Sequence, residues 1–180
     1  MRKLCILALA FIFNNFMGFA QSERIKGKII PDFGETFKVE NPEIKTDTNA
    51  TLKVIFDVSK SPEDKTQINS YLVTAARFLN MHADAGMKPS QLKVAITVHG
   101  AAWKDMLNDA VYLKKYNYKN PNSELLNQLN AAGVDIIMCG QTANSRNVSK
   151  SDVNTNVKFA LSAMTALLQY QNNNYQFIKF

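Results

Sequence analysis

Cys139 closes an apolar run, Val134–Met138, and is followed by Gly140, Gln141 and Thr142. A thiol at the end of such a run and beside a glycine can be reached by a small reactant. The N–H groups that follow it would favour the thiolate if they form a nest or open a helix. Gly140, lacking a Cβ, would let a substrate approach the backbone. The competing reading is a small buried hydrophobe, because free cysteine is among the most buried residue types. No CxxC accompanies it, so nothing points to dithiol redox chemistry. His99 and Gly100 end another apolar run. His99 could orient a substrate or, when protonated, stabilise a thiolate; it could equally bond a loop carbonyl. Asn144 and Arg146 follow the cysteine in a polar stretch. There a guanidinium could hold a carboxylate or a sulfur oxyanion, or stand in solvent. Gly100, Gly140, Asn144 and Arg146 are therefore the substrate-binding candidates, with Cys139 and His99 as the reactive pair.

Other residues read as structural. Asp57 suits a cap on the turn after its strand, Trp103 a core or rim aromatic, and His82 a place in a helical stripe. The histidines and cysteines lack metal-ligand spacing, so no metal is expected. The glycine-rich dinucleotide fingerprint, the P-loop and the GxSxG elbow are all absent, which leaves no basis for a nucleotide cofactor or for serine hydrolysis.

The elements that must position these residues follow from periodicity. Leu52–Val58 and Leu92–Val98 are β-branched, apolar runs that read as buried strands, as does Val134–Met138. Ile68, Tyr71, Leu72, Ala75, Leu79 and His82 recur at helical spacing, which predicts a helix from about Pro62 to Ala85. Trp103 to Val111 carries a second stripe, and Leu125, Leu126 and Leu129 a third, capped at Asn122 or Ser123. Gln141 to Asp152 reads as a polar loop. Val157–Ala160 is a short strand, Ser162–Gln171 a helix, and Tyr175–Phe180 a last strand. Strands apolar throughout and alternating with helices imply a parallel sheet covered on both faces. Ligands bind such sheets outside the carboxyl ends of the strands. If the runs at 92–98 and 134–138 are neighbours, His99 and Cys139 share one edge.

The first twenty of the 180 residues read as a secretory signal: Arg2 and Lys3, the apolar run Leu4–Phe13, then Gly18-Phe19-Ala20 before polar Gln21. The protein is therefore expected to be exported, to the periplasm or the extracellular space, with no stable membrane anchor after cleavage. Cleavage removes Cys5 and leaves Cys139 as the single thiol, so no intrachain disulfide can form. Residues 21–50 lack hydrophobic periodicity and read as an extended arm; 51–180 carries the α/β pattern. The net charge is +6, of which Arg2 and Lys3 supply two. The remaining basic residues are scattered, a solvated surface rather than a nucleic-acid-binding one.

The run Leu92–Gly100, the segment Leu125–Thr142 containing Cys139, and the closing helix with Tyr175–Ile178 together resemble the DsrE/DsrF-like family. The resemblance covers about Leu52 to Phe180. It implies a three-layer α/β/α sandwich with a mainly parallel five-stranded sheet, and a homo-oligomer, trimer or hexamer. It also implies sulfur handling, in which a cysteine after the third strand carries a persulfide. Cys139 matches that position, and Thr142 stands where some relatives have a second cysteine. Implied partners are a small sulfur-containing ligand or an acceptor protein. The alternative is a non-catalytic binding or assembly module of the same fold with an inert cysteine.

Overall fold

A computed structural model of the chain describes residues 24–179. The expected signal, residues 1–20, lies outside the described residues. Five strands form one parallel sheet: β3 (Leu52–Val58), β4 (Leu92–Val98), β5 (Asp135–Cys139), β6 (Val157–Ala160) and β7 (Gln176–Ile178). Their order is β6-β5-β4-β3-β7, and every neighbouring pair is parallel. The two longest runs occupy the middle positions, as strands buried on both faces must be apolar throughout. In the arm, β1 (Arg24–Ile25) and β2 (Thr36–Phe37) make a small antiparallel ladder.

Helices α1 (Ser70–Asp84) and α3 (Ser123–Ala131) cover one face of the sheet, where Val54, Phe56, Ile96, Val98, Ile136 and Met138 build the larger core. Helix α5 (Ala163–Asn172) covers the other over Ile55, Ala95 and Ile137. The result is the expected α/β/α layering, with unequal outer layers.

Three boundaries differ from the sequence expectation. The first helix begins at Ser70, not near Pro62. Asp64 accepts hydrogen bonds from the Thr66 N–H and hydroxyl, closing a turn, and Asn69 caps the helix by accepting from the Tyr71 N–H at 2.9 Å. The stripe from Trp103 to Val111 is broken into a 3₁₀ segment, Gly100–Met106, and α2 (Asp109–Tyr116). Leu107 is pulled into extended conformation by a bridge to Val153, and Asn108 restarts the helix by capping Val111. The expected loop after the cysteine opens instead with a six-residue helix, α4 (Gly140–Ser145).

The arm is held to α1 by one buried amide. Asn80 Oδ1 accepts from the Ile29 and Ile30 N–H groups, while its Nδ2 donates to the carbonyls of Ile30, Phe33 and Gly34. Ile30 thereby enters the core.

Candidate functional site

Side chains alternate across a strand, so positions two apart share a face. Ile55, Ala95 and Ile137 face α5. The same face two positions further along carries Asp57 on β3, Thr97 on β4 and Cys139 on β5, with His99 following Thr97. The sheet register aligns Val98 with Met138, so His99 and Cys139 occupy the next step on adjacent strands, about 4.8 Å apart in the pairing direction. The expected shared edge is present.

Cys139 is the last residue of β5 and the residue from which α4 springs. Its side chain is buried, with the residue 6% exposed. Burial pushes the thiol's pKa up. The Thr142 N–H, the Thr142 hydroxyl and the N–H groups of Ala163 and Gln141 outweigh it and hold the pKa below the ordinary value of 9.0. The sulfur thus lies where the first turns of α4 and α5 meet. Their unpaired N–H groups face a single atom.

His99 follows β4 with an extended backbone, and its N–H donates to the Val58 carbonyl at 3.0 Å. Its Nε2 lies 2.9 Å from Asp57 Oδ1. Asp57 Oδ2 takes the Lys179 ammonium at 3.0 Å, and the Asp57 side chain is only 4% exposed against 31% for His99. With Nε2–H donated to the carboxylate, a neutral imidazole keeps Nδ1 as its acceptor. Asp57 is therefore a tether for His99 and not a turn cap. Nothing at sequence level signals this pairing, because its members come from three strands. Thr97, beside Asp57 in the register, is fully buried with its hydroxyl unbonded.

The remaining candidates stand in different places. Gly100 has φ +56°, and a Cβ there would lie 2.9 Å from the Ser59 carbonyl oxygen. A Cβ on Gly140 would lie 2.6 Å from the carbonyl oxygen of Ala160. Both glycines permit close backbone packing that brings the 3₁₀ turn and α4 to the strand ends. Asn144 and Arg146 are exposed, and Arg146 sits at the far end of α4, about 10 Å of helix rise from Cys139. The structure brings His99 to the cysteine's edge and leaves Arg146 away from it.

Behind this edge, on the α1 side, Asp105 and three asparagines form a second, buried polar group that Ser61 joins from its rim. Asp105 accepts from Ser61 Oγ at 2.8 Å and from Asn69 Nδ2 at 2.7 Å. The Asn69 N–H donates to Asn122 Oδ1, and Asn122 in turn bonds Asn120. Burial raises the Asp105 pKa against the lowering effect of these donors. Every member finds a partner within the network, so it joins the loop before α1, the 3₁₀ segment and the start of α3. Among the described residues no group of three His, Cys, Asp or Glu side chains could hold a metal ion.

The sequence profile described as the DsrE/DsrF-like family matches residues 53–180. Among solved structures, the protein of unknown function MTH1491 from Methanobacterium thermoautotrophicum superposes with a TM-score of 0.54 at 15% identity. That match covers 72% of this chain and 99% of the other. The ychN protein from E. coli gives a TM-score of 0.49 at 16% identity, with 72% and 99% covered. No curated protein matches the chain in sequence.

Proposed function

Because the chain belongs to the DsrE/DsrF-like family, we propose that it is an exported sulfur-handling protein in which Cys139 carries sulfane sulfur. The observation that carries this reading is the set of N–H donors from two helix starts that lowers the Cys139 pKa despite burial. A stabilised thiolate is both nucleophile and leaving group in sulfur exchange.

The chemistry needs no oxidant. The Cys139 thiolate attacks the outer sulfur of a persulfide donor, R–S–SH. The new Cys139 S–S bond forms as the donor's S–S bond breaks, and R–S⁻ departs. In this reading His99, tethered by Asp57 at the neighbouring strand end, takes the thiol proton and returns it to the departing thiolate. An acceptor thiolate then attacks the terminal sulfur and releases Cys139. We further propose that the protein works as a homo-oligomer, supported by the exposed apolar residues beside Ala163: Leu161, Met164 and Leu168.

The test is an intact mass after exposure of the mature protein to polysulfide. Wild type should gain about 32 Da, one sulfur atom per chain, and Cys139→Ser should not. Equal addition to both proteins would refute the carrier role. A second reading, an assembly module with an inert cysteine, draws support from the 6% exposure of Cys139. It requires slow maleimide labelling of the native thiol and fast labelling after unfolding.

A further inference from the structure

The face of the sheet away from Cys139 carries a cleft that the sulfur chemistry does not use. It runs between α1 and the β3–β7 edge, with a volume of about 620 Å³. That lies within the range of small-molecule sites, about 300–1,000 Å³. Its floor is Phe56 and Ile178, and its wall is Tyr71, Phe78 and His82 from α1. These wall residues recur at i, i+7 and i+11, one stripe along some 18 Å of helix. The stripe is already ordered. Phe78 meets Phe56 edge-on at 5.8 Å, the His82 ring lies 4.1 Å from Phe78, and His82 Nδ1 donates to the Phe78 carbonyl at 2.8 Å. Preformed rings lower the ordering penalty of binding.

Charge decides what fits. Arg77 lines the cleft, stands exposed, and makes no ion pair or side-chain hydrogen bond among the described residues. Among the described residues no acidic side chain lines the cleft. The nearest carboxylate on the same helix, Asp84, is engaged by Lys28 and the Thr36 hydroxyl. An apolar trough with one exposed guanidinium at its rim matches an apolar body bearing a single anionic end.

We propose that this cleft binds a medium-chain fatty acid or another apolar monocarboxylate. Its body lies along Tyr71, Phe78 and Ile178, and its carboxylate is held by Arg77. The site is independent of Cys139.

Isothermal titration of dodecanoate below its micellar concentration, alongside methyl dodecanoate, tests this. Wild type should bind the acid with one site per chain and the ester about fivefold more weakly, the worth of one partly exposed charged contact. Arg77→Ala should weaken the acid to the level of the ester. Thr74→Trp, which fills the trough from its outer rim, should abolish binding of both while circular dichroism stays unchanged. Absence of binding, equal affinity for acid and ester in wild type, or unchanged binding in Thr74→Trp would overturn the proposal. So would a change of oligomeric state in Thr74→Trp by light scattering, which would assign the cleft to a second copy of the chain.

Discussion

At Thr142 the backbone N–H and the side-chain hydroxyl both act on the Cys139 sulfur, and both lower its pKa. Only the hydroxyl can be removed without moving the chain. Thr142→Val should shift the pH midpoint of iodoacetamide alkylation upward, because one of the donors that offset burial is lost while the N–H groups of Gln141, Thr142 and Ala163 remain. The sign for stability follows from the same shift. A thiol whose pKa is lower folded than unfolded contributes stability that is complete above the unfolded value and vanishes as pH falls through the folded one. Wild type and variant should therefore differ most in urea midpoint at alkaline pH and converge below the thiol's folded value. Equal alkylation profiles would remove the hydroxyl from the account. How far this site was legible is a matter of range. Cys139 and His99 stand at the ends of apolar runs, a local pattern, and adjacency followed from parallel pairing. The Asp57 tether joins β3 to β4 and to Lys179 beyond β7, and no local signal anticipates a partner that distant.

Among the elements, the long strands were the easiest to read. Leu52–Val58 and Leu92–Val98 begin and end where the β-branched runs do. Polar helix surfaces were harder. Asn69, Asn80 and Asn122 look like solvent-facing positions in the sequence, yet all three are fully buried. Asn80 spends its whole amide on the distant arm, whereas Asn69 and Asn122 each divide theirs between a neighbour two residues away and a segment far along the chain. Helix α4 carries little helical signal in the sequence because Gly, Thr, Asn and Ser are poor helix formers, and only Ala143 of its residues is buried. The asparagine network has a measurable centre in Asp105. Replacing it by Leu strips Ser61 Oγ of its partner and Asn69 Nδ2 of one of two, which should cost about 2–3 kcal/mol in urea unfolding at neutral pH. Asp105→Asn keeps an acceptor but cannot ionise. Because the Asp105 pKa is raised on folding, its stabilising share is present in acid and lost as pH rises through the folded value. The Asn variant should lack that decline, and a pH series of urea midpoints reads it directly.

For the whole molecule the imbalance between layers matters most. Among the described residues helix α5 stands alone on its face, leaving Leu161, Met164 and Leu168 more than 60% exposed at i, i+3 and i+7, with Phe159 and Phe177 partly exposed towards either sheet edge. Burying three such side chains gains about 1.5–3 kcal/mol each. Association costs about 4–15 kcal/mol in lost freedom. In a two-fold interface both copies bury the stripe, about 9–18 kcal/mol in all, so the stripe can carry association and either phenylalanine would add to it. Leu168→Glu should convert the proposed oligomer to smaller species in light scattering with the far-ultraviolet spectrum unchanged. A wild-type protein that is strictly monomeric at high concentration would refute assembly through this face.

The order of the strands has a consequence in time. The strand that opens the sheet, β3, is flanked by β4, the next to be made, and by β7, which follows every other strand. Until β7 is available, β3 is a bare edge, and Asp57, the anchor of His99, lacks Lys179. A chain threaded through a membrane from its N-terminus would thus carry an unfinished sheet to the end of its passage. The last contact made would be the one that completes the charge pair behind the reactive edge. Maturation of the site and completion of the fold are then one event.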